Sequence, residues 1–161
     1  MDTNILLESG TNELELLIFD VSGNYYGINV AKVREITNSE PITMIPNSHP
    51  CVEGVFIPRD EIITAINLAK VLQLPASEDA EKDMFIITNF NKLNVSFRVH
   101  KIYGITRFSW SDIIVPDKTV GSAEQALATG IVKWNGKLVV ILDFEKIVSD
   151  ISPETGLKVS D

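Results

Sequence analysis

Two stretches of this sequence, 54–72 and 130–148, align without a gap at a constant offset of 76. G-V-F-I-P-R-D-E-I-I-T-A-I-N-L-A-K-V-L and G-I-V-K-W-N-G-K-L-V-V-I-L-D-F-E-K-I-V carry apolar residues at the same places. Val55 stands against Ile131, Ile62 against Leu138, Ile63 against Val139, Leu68 against Phe144 and Val71 against Ile147. Two more blocks repeat in the same order. Ile28-x-Val30-x-Lys32-Val33-x-x-Ile36-Thr37 matches Phe97-x-Val99-x-Lys101-Ile102-x-x-Ile105-Thr106 at an offset of 69, and Ile45-Pro46 matches Val115-Pro116 at 70. Three blocks repeated in order make the chain a doubled unit and exclude a single sheet with a unique plan.

The local patterns say what is doubled. Leu14, Leu16 and Ile18 alternate, Ser22-Gly23-Asn24 supplies turn residues, and Tyr25-Tyr26-Gly27-Ile28 starts a return strand, which is a hairpin pattern. Val30, Val33 and Ile36 lie at helical spacing in a segment too short for a free helix, so one helical turn leading into an extended piece is expected. Each of the two long matched stretches reads as a hairpin followed by a short helix. Pro58-Arg59-Asp60-Glu61 is the polar turn of the first, and Asn135-Gly136, which tolerates the positive φ of a type I′ turn, is that of the second. Asn67 caps a helix predicted over 68–74, ahead of Pro75, and Asp143 caps one over 144–151. Met84-Phe85-Ile86-Ile87 reads as a buried strand and 123–128 as a helical turn. Five short strands and a helix per half point to a small barrel in each, since closure removes sticky edges. Residues 1–13 form an N-terminal arm with an apolar Ile5-Leu6-Leu7 cluster, 76–83 a charged junction, and 152–161 a tail with little to bury.

Charge and composition exclude several functions. The net charge of −8 repels phosphate backbones and anionic lipid heads, so nucleic acid is not expected as a partner. No run reaches the about 18 to 20 apolar residues of a membrane span, and the acidic start Met1-Asp2 is unlike a signal peptide, so a cytoplasmic protein without direct membrane insertion is predicted. Cys51 is the single cysteine, which rules out an intramolecular disulfide and favours an inert thiol.

No nucleotide-binding, nucleophile-elbow or zinc-protease motif is present. His49 and Cys51 lie two apart but between prolines and without a carboxylate to orient the imidazole, and His100 alternates onto a polar strand face. Asp60-Glu61 offers too few oxygens for calcium. No catalytic residue, metal or cofactor is therefore assigned. Tyr25, Tyr26, Trp110 and Trp134 could floor a ligand pocket, which makes a small-molecule-binding β-barrel the alternative reading, although strand aromatics more often pack. Arg59 is different. It is the one Lys or Arg between Arg34 and Lys70, it stands on a hairpin tip, and Glu35 in the helical turn of the same half is placed to reach it. The bland account is a solvated ion pair; the sharper one is a recognition spot.

At these residues the chain resembles a known family. Tyr26-Gly27-Ile28-x-Val30-x-x-Val33-x-Glu35-Ile36, then 52–68, then Gly130-Ile131 through Leu142-Asp143-Phe144-Glu145-Lys146-Ile147 are similar to the CheW-like domain of bacterial chemotaxis, over 14–151. The family's usual G-V-x-N-L-R-G-x-x-x-P-V-I-D-L is kept at Gly54, Val55, Arg59, Ile66 and Leu68. It is replaced at Ile57, Pro58, Asp60, Thr64 and Asn67. The form F-I-P-R-D-E-I-I-T resembles the family's CheV branch, in which a receiver domain follows; the tail 152–161 resembles the start of the linker to that receiver, which this chain lacks. The resemblance implies a mainly β fold of two intertwined SH3-like five-stranded barrels with short helices. It implies a non-enzymatic adaptor, located at receptor arrays on the inner face of the membrane. The implied partners are the regulatory domain of the histidine kinase CheA and the cytoplasmic tip of methyl-accepting chemoreceptors. By position it assigns Val30, Val33, Glu35 and Arg59 to receptor binding and fixes no kinase-contact residue.

Overall fold

The computed structural model describes residues 13–90, 93–116 and 122–155. The readings that fall on the arm before Glu13, on the Asn91-Lys92 turn, on 117–121 and on the tail from 156 lie outside the described residues. The first half supplies β1 (Glu13–Val21), β2 (Asn24–Asn29), β3 (Val33–Asn38), β4 (Val52–Phe56), β5 (Ile63–Asn67) and helix α1 (Leu68–Leu72). The second supplies β6 (Met84–Phe90), β7 (Leu93–Val99), β8 (Lys101–Ser109), α2 (Ala123–Leu127), β9 (Ala128–Trp134), β10 (Lys137–Leu142) and α3 (Phe144–Thr155). Turn chemistry sets the hairpins. Ser22-Gly23 and Asn135-Gly136 all adopt positive φ, the requirement of a two-residue turn matched to strand twist.

The strands form two five-stranded sheets, in the orders β8-β1-β2-β10-β9 and β3-β6-β7-β5-β4. Each sheet is therefore a hybrid. The β1–β2 hairpin of the first half completes the sheet of β8, β9 and β10, while β6–β7 of the second half completes that of β3, β4 and β5. Parallel pairings seal both exchanges, β2 with β10 and β7 with β5. The local patterns' one barrel per sequence half thus gives way to two intertwined barrels, each drawn from both halves, as the family resemblance implies.

Burial explains why the exchange is stable. Leu14, Leu16 and Ile18 on one face of β1 fill the interior of the first barrel with Phe108, Val132 and Val139. Leu17, Phe19 and Val21 on its other face enter a larger core shared between the barrels. In β6 the faces divide likewise: Phe85 and Ile87 fill the second barrel with Phe56, Ile63 and Ala65, and Ile86 joins the shared core. A strand buried on both faces reads as a continuous apolar run, which is how Leu16-Leu17-Ile18-Phe19 and Phe85-Ile86-Ile87 appear.

The helices close the shared core, each with its N-cap. Asn67 Oδ1 accepts from the Lys70 N–H at 3.2 Å, Ser122 Oγ from Gln125 at 3.0 Å and Asp143 Oδ1 from Lys146 at 3.0 Å. Helix α1 stops two residues earlier than its spacing predicts, because Gln73 takes a left-handed conformation. Helix α3 runs four residues past Ile151, so Pro153 falls within its last turns, where the missing N–H removes a single helical hydrogen bond.

Both matched stretches begin with a glycine for a reason of space. The segment before β4 crosses it through a bridge of Thr43 to Val55, and Ile114 bridges Ile131 in the same way. A Cβ on Gly54 would lie 2.0 Å from the Thr43 carbonyl oxygen, and one on Gly130 would lie 2.7 Å from Ile113 Cγ2. Gly54 also has φ +144, a region open essentially to glycine alone. Beside it, Arg98 on β7 joins the halves: Nε and Nη2 each donate to Glu53 on β4 at 2.8 Å, and Nη1 donates to Asp83 at 3.2 Å. Its plane lies over Phe85, and Asp83 is almost completely buried.

Candidate functional site: the Arg59 hairpin tip and the inter-barrel groove

Between β4 and β5 the chain makes an exposed tip from Ile57 to Ile62. Asp60 there adopts φ +57, the left-handed conformation that suits the glycine usual in the resembling family. The turn aims Arg59 back at β3, where it grips Glu35 with two parallel hydrogen bonds, Nη2 to Oε1 at 2.5 Å and Nη1 to Oε2 at 3.2 Å. Glu35 lies on the strand rather than in the preceding helical turn, because the 3-10 turn ends at Lys32 and the chain is extended from Val33. A bulge at Arg34 then splays its side chain to the same tip, where it bonds Glu61 and, at 3.0 Å, Asn94 Oδ1.

Of the four residues assigned by resemblance, Glu35 and Arg59 are therefore in direct contact. Val30 and Val33 sit further back on the same segment, half-buried against the shared core. The Arg34, Glu61 and Asn94 cluster has no local sequence signal, since its members come from three elements. The hydrogen bonds from the Arg59 guanidinium hold the Glu35 carboxyl below the ordinary glutamate range, against the opposing effect of desolvation. A depressed folded-state value means that the pair is fully formed above the ordinary glutamate range and is lost only as pH falls through the lowered one. The Glu35 side-chain carbon resonance is expected to stay flat from pH 8 to pH 5 and to move at lower pH in the wild type than in Arg59→Ala; coincident titrations would refute the pairing.

A groove of about 340 Å³ opens between the barrels, lined by Leu14, Phe90, Trp110 and Phe144, with Asn29 and Lys32 at the segment that carries Val30. Lys32 reaches Glu145 of α3 across it at 2.6 Å. The Trp110 Nε1 is buried without a hydrogen-bond partner among the described residues.

The duplication also appears on the surface. Ile36, Met44, Ile45 and Ile62 are exposed in the first half, and their counterparts Ile105, Ile114, Val115 and Leu138 are exposed in the second. Met44 and Val115 are each 80% exposed. Large apolar side chains are thus exposed at matched positions of the two barrels.

The histidines and Cys51 are structural. Nδ1 of His49 accepts the Cys51 backbone N–H at 3.0 Å and so faces backbone rather than the thiol. Burial pushes the Cys51 thiol up, only partly offset by Lys70, which disfavours the thiolate at neutral pH. His100 lies at the bend between β7 and β8, not on a strand face, and its Nδ1 accepts the Ser22 N–H at 2.9 Å. The bend arises because the chain crosses there from one sheet to the other.

Two five-stranded barrels are interlocked by exchanged hairpins, with a charged tip on one and apolar residues exposed at matched positions on both. The CheW-like domain family model matches residues 15–152, and the chain belongs to that family. It is 28% identical to the chemotaxis protein CheW of Thermotoga maritima, over 94% of this chain and 98% of that protein. It is 34% identical to the chemotaxis protein CheV3 of Helicobacter pylori over 87% of this chain, and the matched region spans 49% of that longer relative. The scaffolding protein TtCheW of Thermoanaerobacter tengcongensis has the same fold, with a TM-score of 0.73 over 80% of this chain and 88% of that one, at 22% identity.

Proposed function

We propose that this chain is a non-enzymatic chemotaxis adaptor that couples the cytoplasmic tips of methyl-accepting chemoreceptors to the regulatory domain of the histidine kinase CheA, at receptor arrays on the inner face of the membrane. The observation that carries the reading is the matched pair of exposed apolar surfaces, one on each barrel, which gives an adaptor two faces of similar make for barrel-shaped partners. The Glu35 and Arg59 tip, with Val30 and Val33 behind it, is the receptor side, and the inter-barrel groove offers an apolar seat for a receptor helix. No helix among the described residues is long and apolar enough to cross a membrane, so placement at the array rests on these contacts.

The alternative of a small-molecule barrel loses its cavity. Leu16, Ile18, Val132 and Val139 fill one interior and Ile63, Ala65, Phe85 and Ile87 the other, each at 0 or 1% exposure.

In a reconstituted array of receptor, CheA and this protein, Arg59→Ala is expected to reduce receptor control of kinase activity about tenfold, the ordinary cost of losing one interfacial anchor. Its melting temperature should hold within about 3 °C, because an exposed pair contributes at most about 1 kcal/mol. Undiminished receptor control in that variant refutes the receptor-side assignment. The kinase side is tested by Leu138→Glu, on the barrel opposite Arg59, which should weaken capture of the CheA regulatory domain; full capture overturns the paired-surface reading.

A further inference from the structure

The repeat makes each barrel a control for the other, and strand register fixes the equivalence. Leu16 pairs with Asn29 between β1 and β2 as Phe85 pairs with Arg98 between β6 and β7, both at an offset of 69. Gly27 lies beside Ile141 as Ser96 lies beside Ala65, at offsets of 69 and 76. The inter-barrel groove and its counterpart thus correspond residue by residue. Asn29, Leu14 and Thr129, which line the groove, stand where the other side has Arg98, Asp83 and Glu53.

Those three counterparts are the ionic network that joins the halves, so the sister place is spanned by a long side chain and its two acids. The linker ahead of β6 reaches it as well. Its residues Ala80–Lys82 form a 3-10 turn, and the Ala80 carbonyl accepts from Arg98 Nη1 at 3.4 Å. Leu74, at the start of that linker, packs on the shared core. On the groove side Asn29 is too short to cross, and Leu14 and Thr129 carry no charge. The space stays open, at about 340 Å³, over Phe90, Trp110 and Phe144.

At the same offset of 69, linker residues 74–83 correspond to 5–14, the chain that leads into β1. It enters at the groove itself: Leu14 is part of the lining, and Glu13 pairs with Ser109, the residue before Trp110. The two lead-in segments differ in the same sense as the two places. Beside the ionic network the linker is charged, with Glu78, Asp79, Glu81, Lys82 and Asp83; ahead of the apolar groove stand Ile5-Leu6-Leu7.

We propose that residues 1–12 fold back so that Ile5, Leu6 and Leu7 occupy the inter-barrel groove and compete there with a receptor helix; the competition, but not the docking, rests on the receptor-seat reading given above. Six residues separate Leu7 from Glu13, a reach of up to about 20 Å, and Ser9-Gly10 supplies turn residues for the reversal. The tether holds the cluster at an effective concentration in the millimolar range, so a contact of only millimolar strength closes the groove in about half of the chains. A partner's apparent affinity then falls in proportion to the fraction of chains with the groove open.

The test compares the full chain with Ile5→Ser/Leu6→Ser/Leu7→Ser, whose changes lie outside both sheets. In the wild type, nuclear Overhauser contacts are expected from the Ile5, Leu6 or Leu7 methyl groups to the Trp110 and Phe144 rings. The Trp110 indole N–H resonance should shift in the triple variant, while that of Trp134, which does not line the groove, stays in place. The triple variant should also capture a receptor-tip fragment about two- to fivefold more tightly. Absence of the methyl contacts, with an unmoved Trp110 indole, overturns the docking whatever the receptor result. Contacts found only between labelled and unlabelled chains in a mixed sample overturn it too, since they give the groove to the arm of a second copy. Intramolecular contacts with unchanged receptor capture overturn the competition alone and place the failure on the receptor-seat reading.

Discussion

Arg98→Ala is expected to lower the unfolding free energy by about 3–5 kcal/mol, the usual cost of removing one member of a buried ionic network. Arg98 is 12% exposed, Glu53 19% and Asp83 3%, so the truncation leaves two carboxylates shielded from water with no cation between them. Burial works against the charge of Arg98, but the hydrogen bonds it donates to Glu53 and Asp83, with their charges, outweigh it and raise the guanidinium pKa. Asp83 Oδ1 has no hydrogen-bond partner among the described residues, so that residue already carries an unmet acceptor and tolerates further loss poorly. Urea unfolding of wild type and variant gives the difference. A second variant, with Arg98, Glu53 and Asp83 replaced by Met, Leu and Asn, should recover most of it, because the penalty belongs to the stranded charges. A loss below about 1 kcal/mol for Arg98→Ala would show the network to be well hydrated.

Gly54→Ala is the second large effect, at about 3 kcal/mol or more, with the melting temperature lowered by roughly 6–12 °C. The new methyl group meets the Thr43 carbonyl, part of the backbone bridge to Val55, so relief requires the crossing segment to move. Gly136→Ala provides the reference: its φ is +76, but a Cβ there meets nothing within 4 Å, so about 1 kcal/mol is expected from backbone conformation alone. Gly130→Ala should fall between them, since its close neighbour is the end of the Ile113 side chain. Equal melting temperatures for the Gly54 and Gly136 variants would contradict the steric account.

What the sequence made legible follows the range of the forces involved. The duplicated order, the Asn135-Gly136 turn, the caps at Asn67 and Asp143 and the strand runs at Leu14 and Met84 are encoded within a few residues of where they act. The contact of Glu35 with Arg59 was also accessible, because a lone arginine on a hairpin tip and a nearby acid in the same half leave few other partners. The assignment of β1–β2 to the far barrel was not, since a hairpin's pattern shows that both faces are apolar but not which sheet receives it. Nor was the Arg98 network, whose acids stand 45 and 15 positions away on separate elements. The contact of the Tyr25, Tyr103 and Trp134 rings was hidden for a related reason, since they lie on three strands that only the folded sheet brings together.

The exchanged hairpins also decide when the molecule can form. Glu15 on β1 finds Arg107 on β8 only 92 residues later in the chain, so β1 waits through that length of synthesis for its partner strand. Through that interval both apolar faces of β1–β2 have no permanent cover, and closing so long a loop must precede the contacts that reward it. Neither half is then a foldon of its own: fragments cut within 76–79 should be unstructured when separate and should recover the fold only when mixed, as two chains completing each other's sheets.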